Sequence, residues 1–214
     1  VRAEAAGFRS SEQSGVVLDA ASRRALDFTL VLGALSEAIS VVAAADQVQT
    51  TSGDVSQLIT ERQLTQIALN GRNYVQMLQL VPGVVTISTD PFSLGLSATA
   101  QRINGIRTNS IYFMVDGTDN MDNGANSNAI INPNIDAIAE IKILTSSYSA
   151  EFGGRAGAIM NVVMKGGSRE FHGSLFEFVR NDSFDARSFF SKTTPPLRFN
   201  DFGWTLGGPL YIPG

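Results

Sequence analysis

The stretch "YFMVDGTDNMDNGANSNAIINPN", Tyr112 to Asn134, sets an apolar run against a tail of aspartates and asparagines. Tyr112–Val115 reads as a strand and Asp116-Gly117 as the tight turn that ends it. The carboxylates Asp116, Asp119 and Asp122 invite an ion-site reading. Thr118 stands where the EF-hand order requires Asp or Asn, so that loop is excluded. An irregular oxygen cage for calcium stays open, because hard cations need only about 6–8 oxygens. Side-chain-to-backbone bonds in a solvated loop are the simpler account.

The sequence on either side decides between them. Downstream, "EIKILT" and "AIMNVVMK" are strand-like; in the second, Ala158, Met160, Val162 and Met164 alternate with Ile159, Asn161, Val163 and Lys165. "NIDAIAE" reads as a short helical turn before the first of them. Upstream, "GVVTIS", "QRINGI" and "SIYFMVDG" add strands. "TERQLTQIALNG" opens on a capping box, Thr60 with Gln63, followed by Leu64, Ile67 and Ala68 at helical spacing and by Gly71. "RNYVQMLQLVPG" predicts a second helix ending at Pro82-Gly83. Strands mixed with short helices imply an α+β domain over 52–165.

The flanks differ. Over 1–35, "VRAEAAGF", "GVVLD" and "ALDFTLVLG" read as short strands, the end of a β-sandwich. Leu30–Ala45 is the most apolar segment. It falls short of the roughly 20 residues of a membrane helix and contains Glu37 and Gly33, so a strand and an extended linker are expected. "FHGSLFEFVRN" and "RFNDFGWTLGGPLY" alternate at length: Phe176 and Phe178 against Leu175 and Glu177, then Phe202, Trp204 and Leu206 against Asp201, Gly203 and Thr205. One large apolar face and one small or polar face is the pattern of transmembrane β-barrel strands, and also of a soluble amphipathic hairpin. The chain starts at Val1 and stops in a turn-rich stretch, which is expected of a fragment.

Composition narrows function. Charged residues are 17% of the chain, below the usual quarter of about 25%, and the net charge of −4 gives nucleic acid no basic footprint. Without cysteine, thiolate sites are excluded, and with the single histidine His172 a His-centred triad or zinc site is nearly so. There is no P-loop. "GGRAGA" (153–158) lacks the dinucleotide spacing and precedes a strand, and "GLSAT" misses the nucleophile elbow. The expectation is a protein that is not an enzyme and has neither cofactor nor metal.

Taken in order, these stretches resemble a TonB-dependent outer-membrane receptor of the large Oar-like type. "EAISVVAA" is similar to the TonB box, an acidic or polar residue followed by T-V-x-V-x-A, although its core here is "ISVV". "LNGRNYVQMLQLVPGV", "INGIRTNSIYFMVDG" and the run from Asn134 to Gly167 resemble successive parts of the plug; the two long alternating stretches resemble the first barrel strands. The resemblance implies the C-terminal part of a carboxypeptidase-regulatory-like β-sandwich over 1–35, a box and linker over 36–51, a plug over 52–165 and two barrel strands over 166–214. It implies TonB as partner, strand addition through Glu37, Ala38, Ile39, Ser40, Val41, Val42 and Ala43, and import of a large nutrient, saccharide, peptide or siderophore-like. Asp119, Asn120, Asp122, Asn123, Asn126 and Asn128 would face the ligand, Arg72, Arg107 and Arg155 would meet the barrel, and outer-membrane lipid would surround it. The alternative is a β-rich surface protein for adhesion or carbohydrate binding, without transport.

Overall fold

The structure is a computed structural model that describes residues 1–16, 25–33, 38–42, 53–86, 101–108, 110–122, 124, 129–187 and 189–209. Its centre is a five-stranded sheet of β4 (Val55–Thr60), β7 (Tyr112–Val115), β8 (Thr118–Asp119), β9 (Ile138–Ser146) and β10 (Ile159–Met164), in the order β4-β9-β10-β7-β8. β10 pairs antiparallel with β9 and parallel with β7. The alternation of β10 is realised: Ala158, Met160 and Val162 are buried in the main core, with Met164 packed against it, and Ile159 joins Met114 and Leu144 on the other face. Full burial of each of the larger of these side chains stabilises by about 1.5–3 kcal/mol.

One helical layer covers the main core. The Thr60 amide donates to Gln63 Oε1 at 3.0 Å, and α1 (Glu61–Gln66) follows. It ends earlier than its apolar spacing suggests: Leu64 is buried, whereas Ile67 is already extended. The expected second helix is a 3-10 helix over Tyr74–Leu80, capped by Asn73 Oδ1 on the Val75 amide at 2.9 Å. Tyr74, Val75, Met77 and Leu78 are its buried residues. Val81 precedes Pro82 and is extended, as the proline ring requires. The "NIDAIAE" turn is a 3-10 turn over Ile135–Ala137. Alongside, β5 (Val84–Thr86) pairs with β6 (Gln101–Ile103).

The β7–β8 turn matches its sequence. Asp116 and Gly117 both have positive φ, 49° and 76°, the type I′ geometry that Asp-Gly favours. The turn is tied to β10: Asp116 Oδ1 accepts from the Met164 amide at 2.9 Å, and the Gly117 amide donates to Asn161 Oδ1 at 3.1 Å.

Besides the β5–β6 pair, two smaller sheets accompany this centre. β1 (Arg2–Ala3), β2 (Ser10–Ser14) and β3 (Ala38–Val42) form one, with β1 antiparallel and β3 parallel to β2. Here the sequence misleads. "SSEQS" has no apolar alternation yet forms β2, while "ALDFTLVLG" forms no continuous strand and only Leu32 bridges to Phe8. Most of "GVVLD" lies outside the described residues. The other is a hairpin, β11 (His172–Asn181) with β12 (Arg198–Gly207), in unbroken register from His172↔Gly207 to Asn181↔Arg198.

Candidate functional site

The hairpin has two distinct faces. Leu175 lies opposite Trp204, Glu177 opposite Phe202, and Gly173 opposite Leu206. Phe202, Trp204 and Leu206 are 76%, 69% and 71% exposed. The other face carries Ser174, Phe176, Phe178, Thr205, Gly203 and Asp201, with Ser174 Oγ 2.7 Å from Thr205 Oγ1. Phe176 and Phe178 therefore sit opposite Gly203 and Asp201, away from the broad apolar face on which their alternation suggests they belong. A Cβ at Gly203 would fall 2.6 Å from the Phe176 ring, so this glycine makes room for the aromatic.

The reason is Arg72. Gly71 and Arg72 both take left-handed backbone angles, φ 71° and 52°, and this turn aims the guanidinium at the hairpin. Arg72 Nε lies 2.9 Å from Asp201 Oδ2 on β12, and Nη2 pairs with Asp136 Oδ2 in the Ile135–Ala137 turn. The same Nη2 donates to Asn134 Oδ1 at 3.4 Å. The guanidinium lies over Phe178 at 3.8 Å and Phe176 at 4.9 Å. A planar fork between two carboxylates and stacked on aromatics is a task suited to arginine rather than lysine. The Arg72 side chain is only 14% exposed, which reduces solvent screening of both pairs. Next to it in sequence, the buried Tyr74 hydroxyl has no hydrogen-bond partner, and burial pushes its pKa up to about 12.

Of the other cations grouped with Arg72, Arg107 is exposed and accepts from Ser110 Oγ through its carbonyl at 2.8 Å. Arg155 is half-buried, and its carbonyl accepts from the Tyr148 hydroxyl at 3.0 Å.

In the loop after β8, Asn120 is 4% exposed. Its Nδ2 donates to the Ile131 carbonyl and its Oδ1 accepts from the Ile131 amide, both at 2.8 Å. With the Met121↔Ala129 bridge, this amide closes the neck of the loop, so Asn120 is a buried clamp of the loop. Asp119 Oδ1 accepts from the Met121 amide at 3.0 Å and Asp122 Oδ1 from the Gly124 amide at 2.9 Å, the local bonds typical of such turns. Burial, followed by the charge and hydrogen bond of Asp119, raises the Tyr112 pKa. Asn123, Asn126 and Asn128 lie outside the described residues. Among the described residues, no cluster of three or more His, Cys, Asp or Glu side chains is placed to hold a metal ion.

Of the box candidates, Ala38, Ile39, Ser40, Val41 and Val42 are β3; Glu37 and Ala43 lie outside the described residues. His172 opens β11, its Nδ1 3.1 Å from both Ser168 Oγ and the Glu170 carbonyl. Sequence reasoning missed Asp136 and Asp201 as the partners of Arg72. For Asp201, the only signal was its place on the polar side of an alternating strand.

The family model for the TonB-dependent receptor plug domain matches residues 32–159, and that for an outer membrane beta barrel domain matches 163–212. The TonB-dependent transporter Oar of Myxococcus xanthus is 25% identical over 98% of this chain, which spans 20% of that protein. The outer membrane transporter YddB of Escherichia coli shares the fold with a TM-score of 0.54 at 15% identity, over 71% of this chain and 23% of that one. The siderophore receptor PirA of Acinetobacter baumannii does so at 0.50 and 21%, over 72% and 22%. This family consists of receptors and transporters of the bacterial outer membrane, not of enzymes. The chain belongs to the TonB-dependent receptor plug family, with its plug fold followed by the first strands of the barrel.

Proposed function

We propose that this chain is the plug and energy-coupling region of an outer-membrane transporter that imports a large nutrient into the periplasm and catalyses no reaction. The observation that carries this reading is the Arg72 contact, which joins a sheet with a buried core to a hairpin whose broad face is apolar and exposed. A barrel of about 22 strands has a lumen wide enough to need filling, and a plug that fills it must grip the wall. Arg72 is the grip on the first two strands; Arg107 and Arg155 are the further candidates for that wall. The boundaries follow as 1–35 for the sandwich end, 36–51 for box and linker, 52–165 for the plug and 166–214 for the two strands.

Residues 37–43 are the TonB box, which pairs by strand addition with TonB of the inner-membrane complex. Force then reaches β4 through the tether behind the box, rich in Ala, Gln, Thr and Ser. The loop tip beyond Asn120 faces the ligand, where Asp122, Asn123, Asn126 and Asn128, with Asp119 at its base, suit a polar saccharide, peptide or siderophore-like molecule. No observation favours the adhesion alternative.

The test is uptake by cells carrying the intact receptor, screened against saccharides, peptides and ferric siderophores. One nutrient should accumulate only in energised cells, and deletion of 38–42 should abolish that accumulation. Accumulation that survives both a protonophore and the deletion would contradict the proposal.

A further inference from the structure

We infer that the Ile135–Ala137 turn, with its cap Asn134, is the joint through which the start of α1 acts on the wall contact of Arg72, and that Asp136 and Lys165 are its positioning residues. This rests on reading Arg72 as the grip of the plug on the barrel.

The turn is held from two sides. On one, Arg72 Nη2 pairs with Asp136 Oδ2 and donates to Asn134 Oδ1 at 3.4 Å. Nη2 is thereby engaged inside the plug, and Nε is left for Asp201 on the hairpin. Asn134 Oδ1 also accepts from the Asp136 amide at 3.1 Å, and the Asn134 carbonyl accepts from the Ala137 amide at 2.9 Å. The carboxylate that orients the guanidinium is therefore fixed by its own turn. On the other side, the Lys165 amide donates to the Ala137 carbonyl at 2.8 Å, and Lys165 Nζ lies 2.7 Å from Glu61 Oε1. Glu61 opens α1 directly after β4, and Lys165 directly follows β10. A continuous series of polar contacts thus leads from the β4–α1 corner, through the turn, to the hairpin, the kind of network that carries coupling between separate sites.

A cavity of about 680 Å³ adjoins this series. It is lined by Glu61, Asp136 and Lys165 from the plug and by Ser174, Thr205 and Gly207 from the hairpin. The plug therefore meets the hairpin at Arg72 and stands off from it at this level. A close-packed contact would spread a displacement over its whole area; beside a void, the turn has room to shift, and its shift falls on the Arg72 fork. β4 is the outer strand of its sheet among the described residues, so a pull entering there acts on the corner first.

The experiment is hydrogen exchange, read by mass spectrometry, on the full-length receptor in detergent. The reporter is the peptide carrying Arg72, whose amide donates to the Leu69 carbonyl. Lys165→Glu sets a second carboxylate beside Glu61, a contact in which Arg72 takes no part. It should speed exchange in the reporter by about threefold or more, the scale on which a partly exposed ion pair shifts an opening equilibrium. Adding Glu61→Lys rebuilds the pair with its charges exchanged and should restore the parent rate. Arg62→Met, which breaks the Arg62–Gln66 contact on the same helix, should leave the reporter unchanged. A reporter indifferent to Lys165→Glu overturns the joint. A rise that the charge swap does not reverse, or that Arg62→Met reproduces, means general loosening and overturns it as well. Asp201→Asn should also speed exchange in the reporter; no response there would overturn the grip reading of Arg72 itself, which the Lys165→Glu arm does not test.

Discussion

β10 and β12 obey the same two-residue period, yet place their apolar side chains in opposite surroundings. Met160 and Val162 on β10 are wholly buried in the main core and Ile159 in the small cluster on the opposite face. On β12, Phe202, Trp204 and Leu206 point outward. In water the second arrangement would be an aggregation hazard, a long apolar edge and face left open. In a bilayer it is the stable one, because lipid covers the face and a closed barrel removes the edge. The period of a strand thus gives its sidedness, while its solvent must be read from what the opposite face does. On the hairpin that opposite face holds Asp201, Thr205 and the two phenylalanines that receive Arg72.

The contrast can be broken from either side. Ile143→Ala, at a fully buried position of β9, should cost about 2–5 kcal/mol, read as a drop in the denaturation midpoint of the plug; a loss below about 1 kcal/mol would mean the core is not packed as described. Leu206→Arg should cost about 2–4 kcal/mol if that side chain lies near the bilayer midplane. The check is the folded fraction in lipid vesicles by heat-shifted gel mobility, and a folded fraction equal to that of the parent would argue for a water-facing hairpin.

The junction is the third test. Arg72→Met and Asp201→Asn should each cost about 1–3 kcal/mol, and the pair should be non-additive by about 0.5–3 kcal/mol. Strict additivity in the double-mutant cycle would mean that the two side chains do not interact. Arg72→Lys should restore little, since lysine has no planar fork.

The smallest effect concerns Tyr74. Burial raises its folded pKa from 10.0 to about 12, so the unfolded phenol ionises first. Above about pH 10 the unfolded state therefore binds fewer protons, and the stability of the plug falls as pH rises towards 12. Tyr74→Phe removes a buried hydroxyl without a partner. It should be neutral or stabilising by up to about 1 kcal/mol and should flatten the alkaline loss in thermal melts recorded across that range. An unchanged pH profile would mean that another group titrates there.

Local signals in the sequence were dependable where one interaction decided the outcome. The Thr60–Gln63 pair starts α1, Asp116-Gly117 makes its turn, and the alternation of 158–164 assigns both faces of β10. Reading failed where the cause lay elsewhere in the chain. β2 is polar and becomes a strand through its backbone partners, not its side chains. Asn120 looks like its exposed asparagine neighbours, and only the return of the chain at Ile131 makes it a clamp. Arg72 reaches Asp136 and Asp201 because of two left-handed backbone angles. No spacing rule links those carboxylates to it.

The most direct measurement is the surroundings of Trp204, the one tryptophan in this sequence. The intact receptor, with any tryptophan elsewhere replaced, is reconstituted into vesicles with and without brominated lipid. Brominated lipid should quench Trp204 fluorescence, and aqueous acrylamide should not. Strong acrylamide quenching with no effect of brominated lipid would place the hairpin in water and contradict it.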